Sequence, residues 1–256
     1  MKIKIFLLFF LASTLALFPA GQEQTQPTVS RSYGVDYTAG LNFSYNRVAV
    51  LMGDDNIENT LVHSYLALEV DVGLMDYLTV GVVAGYDSND FADPVDFYNL
   101  PLSLRLSDQA YNSMVFGLRA KSDFLSWKDF SFNANAEILF FKLFKKEHTI
   151  DLPIVTGTST IKHSFTQVAL ELLVQYDAFS TFTIFAGPQM NLVKGKITAA
   201  ENIEELQGEE ELEYQQKNTM GFAGGVLFEL GSHFDLKVKV NLFSKTSLSV
   251  EVFYIF

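Results

Sequence analysis

The chain contains no cysteine. Disulfides, thiolate metal sites and a lipidated N-terminal cysteine are thereby excluded. Tryptophan occurs once and proline six times in 256 residues. Cations are scarce, with 18 Lys and Arg against 30 Asp and Glu. That balance is unsuited to nucleic acid, whose phosphates demand concentrated positive charge. Beyond the first twenty residues or so, no apolar run reaches the roughly 20 residues that a membrane-crossing helix needs. Phosphate-loop, dinucleotide, zinc and calcium-loop motifs are missing too. Neither a metal site nor a cofactor is expected.

What is abundant is phenylalanine, 24 residues, within an aromatic share of 14%. A soluble domain would have to hide it, and a lipid-facing surface would not. Residues 1–20 read as a signal peptide, with Lys2 and Lys4 ahead of an apolar stretch at 5–18. Phe18 is an unusual neighbour for a cut after Ala20, where a small residue is the rule. An anchoring helix is the lesser reading, because the stretch is short for a span. Residues 21–33 form a polar, flexible lead containing Pro27, and residues 34–256 form one domain.

From Gly34 onward the dominant pattern has period two. Near the end, Leu248, Val250, Val252, Tyr254 and Phe256 alternate with Ser247, Ser249 and Glu251. Phe234, Leu236, Val238, Val240 and Leu242 alternate with Asp235, Lys237, Lys239 and Asn241. Leu66, Leu68, Val70, Val72 and Leu74 alternate with Tyr65, Ala67, Glu69, Asp71 and Gly73. Ten strands are expected, at 34–45, 61–74, 77–86, 110–122, 130–141, 164–176, 181–191, 217–230, 234–243 and 247–256. Each matches the 9–11 residues of a tilted crossing. Short links (75–76, 125–129, 177–180, 231–233) alternate with long segments (46–60, 87–109, 142–163, 192–216), and only 244–246 breaks the rule. Segregated short and long connections mark an up-and-down transmembrane barrel. The Leu100–Leu102–Leu104–Leu106 alternation and Ile150, Leu152 and Ile154 raise the count to twelve if both cross. Ten is preferred because the short turns then share one side.

The character of the two faces decides between a soluble sandwich and a membrane barrel. One face carries Glu69, Asp71, Arg119, Lys121, Glu137, Glu171, Glu229, Lys237, Lys239 and Glu251, together with Gly81, Gly85, Gly117, Gly221 and Gly225. The other is nearly free of charge and ends in aromatics: Tyr37, Phe43, Tyr45, Tyr86, Tyr111, Phe130, Phe140, Tyr176, Phe182, Phe228, Phe234 and Tyr254. Two interfacial girdles around lipid fit that set. A one-residue slip would put Lys or Arg in lipid, at roughly 2–4 kcal/mol each near the midplane.

The opening Gly34-Val35-Asp36-Tyr37-Thr38-Ala39-Gly40-Leu41-Asn42-Phe43, the stretch 182–190 with Phe185-Ala186-Gly187-Pro188, and the end 250–256 resemble the small bacterial outer-membrane β-barrel, or porin-family, proteins. The resemblance implies an all-β, single antiparallel barrel exported to the bacterial outer membrane. It also implies that Leu248, Val250, Val252, Tyr254 and Phe256 act as the signal read by the barrel-insertion machinery. It implies no substrate.

The charged face reads as a lumen network, with Asp36 and Asp235 adding to its acids. A sealed interior of salt bridges is the first reading, and an acidic narrow pore for cations or small solutes the second. Ten strands give a backbone diameter of roughly 20 Å, which side chains largely fill. The acidic stretch 201–213, with Glu204, Glu205, Glu209, Glu210, Glu211 and Glu213, reads as a solvated, mobile loop. The histidines are His63, His148, His163 and His233. Asp54-Asp55, His63, His148 and His163 are expected near the outer rim. A barrel protease resembling the omptins would need an Asp-x-His pair, and none occurs. His163 and Ser164 point to opposite faces, which spoils a lipase couple. The expected function is therefore a non-enzymatic, porin-like narrow channel or structural barrel embedded in outer-membrane lipid. A surface binding or adhesion protein acting through long loops is the alternative, and a barrel hydrolase the third.

Overall fold

The computed structural model describes residues 37–101, 105–106, 110–143, 146–151, 156–177, 181–203 and 206–256. The signal peptide, the lead, Asp36, Leu102, Leu104, Leu152, Ile154, Glu204, Glu205 and the side chain of His148 lie outside the described residues. Fourteen strands follow in order: β1 (Tyr37–Met52), β2 (Ile57–Met75), β3 (Leu78–Phe91), β4 (Val95–Asp96), β5 (Arg105–Leu106), β6 (Tyr111–Trp127) and β7 (Phe130–Leu143). Then come β8 (Lys146–Asp151), β9 (Thr156–Tyr176), β10 (Phe182–Ile203), β11 (Leu206–Gln216), β12 (Met220–Glu229), β13 (Phe234–Leu242) and β14 (Thr246–Ile255). Alternating side-chain character over long Val-, Leu- and Phe-rich stretches leaves strand as the one conformation that separates the two faces.

All pairings are antiparallel, and β14 closes on β1 with Leu41 opposite Val252. The closed ring is β1-β2-β3-β6-β7-β9-β10-β12-β13-β14, ten strands as the alternation predicts. β8 flanks the upper part of β9, and β5 pairs only with β4, so neither adds a crossing. The tight links sit together at the lower end: Asp76-Tyr77, Lys128-Asp129 with Lys128 at φ 55°, and 231–233 with Gly231 at φ 93°. Glycine reaches that left-handed geometry without a Cβ penalty.

A second closed circuit lies above the first. β11 pairs with β10, and its end pairs with the top of β1, Val50 opposite Gln216 and Met52 opposite Tyr214. The circuit β1-β2-β3-β6-β7-β9-β10-β11 therefore has eight strands. It passes over the short β13–β14 hairpin, whose turn residues Ser244 and Lys245 are buried beneath it. Gln216 ties the two levels, donating from Nε2 to the Ser244 carbonyl at 2.6 Å and accepting from Asn191 Nδ2 at 2.8 Å.

Among the described residues the segments 46–60, 142–163 and 192–216 are thus largely strand, not the long loops the sequence reading expects, while 87–109 continues β3 to Phe91 and carries the short β4 and β5. The acidic stretch is likewise the end of β10 and the bulk of β11, not a mobile loop. The cause is an inversion of character at constant facing. Along β10, Phe182, Ile184, Pro188, Met190 and Leu192 face outward, and then Lys194 and Lys196 continue the same face. Over the same upper stretch, Val193, Ile197, Ala199 and Ile203 point inward and are buried. The strand continues, while lipid outside gives way to water.

Candidate functional site: a filled barrel interior

Below the inversion the interior is charged. Arg119 on β6 donates twice to Asp71 on β2, from Nε and Nη2 at 2.6 Å each, and from Nη1 to Glu69. Such a fork-to-carboxylate pair combines charge with fixed geometry. Asn42 Nδ2 donates to the other Glu69 oxygen at 2.7 Å. Lys121 reaches Asp71 at 3.4 Å. On the opposite wall Lys237 meets Glu251 at 3.3 Å, and Lys239 meets Glu171 at 3.0 Å. Asn135 donates to the remaining Glu171 oxygen at 3.3 Å. Arg119 and Lys121 also lie over the Phe253 ring, at 5.5 and 5.0 Å. Glycine makes room for this: a Cβ at Gly81 would collide with the Asp71 carboxylate.

The charges named in the sequence reading do share this interior, with two corrections. Glu229 is exposed at the lower rim, opposite Asp235. Lys245, read as a turn residue outside the network, is buried and turned inward. In this layer five cations (Arg119, Lys121, Lys237, Lys239, Lys245) stand among five carboxylates (Glu69, Asp71, Glu137, Glu171, Glu251). The void among them is about 40 Å³, room for a water or two.

A polar chain crosses the interior above. Asp87 on β3 accepts from Asn89 Nδ2 at 2.7 Å and Ser113 Oγ at 2.9 Å, and lies 3.2 Å from His63 Nδ1. Because the Asn89 amide nitrogen is donating, its oxygen is the acceptor facing His163 Nδ1 at 2.8 Å. His163 is therefore the Nδ1–H tautomer, and its Nε2 accepts from the Tyr214 hydroxyl at 2.6 Å. His63 and His163 are buried, not at the rim as the sequence suggests, and Ser164 faces outward. His233 lies at the lower rim, 3.1 Å from the Ile255 carbonyl. Ser113 donates to the Asp87 carboxylate and not to an imidazole. The parity of Asp87 and Asn89 with Gly81, Val83 and Gly85 was the signal for this chain, hidden by ending the strand at Tyr86.

Above and around that chain lies an apolar cluster. Val48, Val50, Leu61, Leu139, Phe141, Phe165, Val193 and Ile197 form one cluster with Val95, Phe97, Leu100 and Leu106 from the segment between β3 and β6. Phe97 is 0% exposed. The Phe141 and Phe165 rings stack at 4.1 Å. Tyr111, expected in the outer girdle, belongs to this interior at 2% exposure, since it shares parity with Ser113 and Val115.

Outside, the lower barrel presents Leu41, Phe43, Leu66, Leu68, Val82, Phe116, Leu118, Leu172, Ile184, Val240, Leu248 and Val252, all exposed. Tyr37, Phe130, Tyr176, Phe182, Phe228, Phe234 and Tyr254 ring its lower edge, and Tyr45, Tyr86 and Phe140 its upper edge. Apolar residues wrapped around a closed, charge-filled barrel are stable only in lipid. The chain is accordingly a barrel of the bacterial outer-membrane type. On the projecting part, the ammonium of Lys196 at 2.8 Å holds the Glu211 carboxyl below its ordinary value and is itself held above its own.

No family model and no curated protein matches the chain. Among solved structures it is similar to the outer membrane protease OmpT from Escherichia coli, at 9% identity over 88% of this chain and 99% of that one, with a TM-score of 0.49. It is also similar to a major outer membrane protein from Thermus thermophilus, at 9% identity over 88% of this chain and 100% of that one, TM-score 0.42. A third similarity is to the outer membrane protein AlkL solved in DMPC bilayers, at 11% identity over 92% of this chain and 97% of that one, TM-score 0.41.

Proposed function

We propose that the chain is a closed, non-enzymatic outer-membrane barrel that holds a projecting β-structure outside the membrane as a contact surface. One observation carries this reading. The interior is filled twice, by the Arg119–Asp71–Glu69 layer and by the apolar cluster around Phe97, Phe141 and Phe165. A pore needs a continuous wet path, and burying paired charges beneath packed phenylalanines opposes one. The same observation favours the structural-barrel reading over the narrow channel. Exposed apolar side chains stand at the starts of β2 and β11, Ile57 and Leu206, at 61% and 62% exposure, and on the segment after β4, Tyr98, at 72%. Exposed apolar groups at a tip favour contact with another surface. Planar-bilayer recording tests the proposal. The purified barrel should give no conductance steps above leak, and stable ohmic steps would overturn it.

A further inference from the structure

We propose that the water-facing side of the sheet formed by β8, β11 and the upper parts of β9 and β10 binds an uncharged oligosaccharide, laid across the strands in a polar groove. The proposal rests on the reading of the projecting strands as a contact surface and gives that surface a ligand class. Register sets two rows over four successive strands. One is Glu147, Thr160, Ala200 and Glu209, and the next is Thr149, Thr158, Asn202 and Gln207. The opposite parity, with Ile161, Ile197, Ala199 and Ile203, is buried against the interior. Thr160 lies four residues before Ser164, about 13 Å along the strand, on the projecting side of the level where lipid gives way to water.

The two rows form a hollow. Thr160 and Ala200 are half-buried in the middle, while Glu147, Asn202, Gln207 and Glu209 stand exposed around them. The groove, about 410 Å³, falls within the ~300–1,000 Å³ of ligand clefts. Its chemistry excludes three ligand classes. Glu147 and Glu209 flank it and, among the described residues, no cation lines it, which opposes phosphate or sulfate. Glu201 also borders it, with its side chain buried on the opposite parity. Ala200 is the largest apolar side chain in the lining, so an apolar molecule or the aromatic core of a protein interface has nothing to pack on. The flanking carboxylates belong to strands three steps apart, about 14 Å, too far to share a metal ion. A ligand with many hydroxyls and no charge remains. The carboxylates would accept from sugar hydroxyls, the Asn202 and Gln207 carboxamides would donate and accept, and the Thr158 and Thr160 hydroxyls would do both. The Thr158, Thr160, Asn202, Gln207 and Glu209 side chains make no hydrogen bond to one another or to other described residues, so these groups are available.

The test is a calorimetric titration of the detergent-solubilised full chain with neutral hexasaccharides of α-linked glucose, β-linked glucose, β-linked N-acetylglucosamine and β-linked galactose, with spermine and dextran sulfate as competitors. At least one hexasaccharide should bind wild type saturably, and Asn202→Ala/Gln207→Ala should weaken it about tenfold. Glu209→Gln should keep that binding, because a carboxamide oxygen still accepts from a hydroxyl, whereas a ligand held as a cation would be lost. Neither spermine nor dextran sulfate should displace the sugar, and Lys128→Gln on the lower turn should change nothing. Heat-modifiable gel migration verifies that each variant is folded. No saturable binding by any hexasaccharide, equal affinity for wild type and the double alanine variant, loss of binding with Glu209→Gln, displacement by either competitor, or the same loss with Lys128→Gln would each overturn the site. Any of these results beside silent bilayer recordings would remove the ligand and leave the closed barrel standing.

Discussion

Glu251 takes its ion pair from Lys237, whose ammonium lies 3.3 Å away, and not from Lys239. A turn centred on Lys245 would set Lys239 opposite Glu251. The hairpin instead centres on Ser244, with Asn241 opposite Ser247 and Phe243 at φ 73°. The two-residue shift keeps every facing and moves every partner. Lys239 is released to reach Glu171 across the lumen. Double-mutant cycles on urea unfolding in vesicles should give coupling energies of about 1–3 kcal/mol for Lys237/Glu251 and for Lys239/Glu171. The Lys239/Glu251 cycle should give clearly less. A larger value for that last pair would reinstate the other register.

Arg119→Met should destabilise the barrel by about 3–5 kcal/mol, because buried Glu69 then loses its cation and Asp71 keeps only Lys121. Residual lumen water would bring the loss toward the lower figure. Arg119→Lys should recover only part of it, since an ammonium cannot bridge both carboxylates in the planar fork geometry. A lowered urea midpoint for both variants, with Met the lower, is the expected reading. Equal midpoints for wild type and Met would remove this pair from the stability of the barrel.

Tyr214→Phe should cost about 1–3 kcal/mol, leaving His163 Nε2 buried with no donor. The same substitution made on a His163→Phe background should cost much less. Amide exchange in β9 and β11 should rise in the Tyr214→Phe single variant. Unchanged exchange would place the bond outside the closure of the upper circuit.

Trp127, the sole tryptophan, lies at the lower turn beside Phe130, with Lys128 over its ring at 5.0 Å. An interfacial position follows. Its emission should shift to the blue on insertion into vesicles. Quenching should be strongest with bromines close to the headgroups and weak with bromines near the chain ends. Strongest quenching at the chain ends would move the belt.

Deleting Phe256 should block assembly. Its backbone N–H donates to the Tyr37 carbonyl at 3.1 Å, sealing β14 to the first described residue, and its ring packs on Tyr254 at 4.8 Å. Leu248, Val250, Val252, Tyr254 and Phe256 share the parity of the lipid face. Proteinase accessibility in cells should show no surface-exposed product for the deletion. Normal exposure would detach insertion from this pattern.

Facing was legible because a charge in lipid is costly, so Lys237, Lys239, Arg119 and Glu251 each specify their whole strand. Strand count followed from the same alternation. Strand length did not, because Lys194 and Lys142 look like ends of strands when polar residues on the outer face are equated with loops. They mark instead the level where lipid stops. Register within the β13–β14 hairpin was hidden for a different reason. A three-residue link permits more than one centre, and Phe243 in the left-handed region is not a choice that side-chain preference announces. The Asp87–His63 and His163–Tyr214 contacts join residues far apart in sequence, brought together only by closure.

β1 belongs to both circuits: its lower half is held by β14 and its top by β11, while β2 flanks it throughout. In mechanical terms it is, with β10, one of the two staves at which hoops of different girth part. Traction on the outer tip through the β1–β2 turn reaches β1 first and loads the short three-residue seam with β11 in shear before the ten-residue seam with β14. A pull from outside would therefore open the head while the anchor stays shut, and the membrane would remain sealed during the failure.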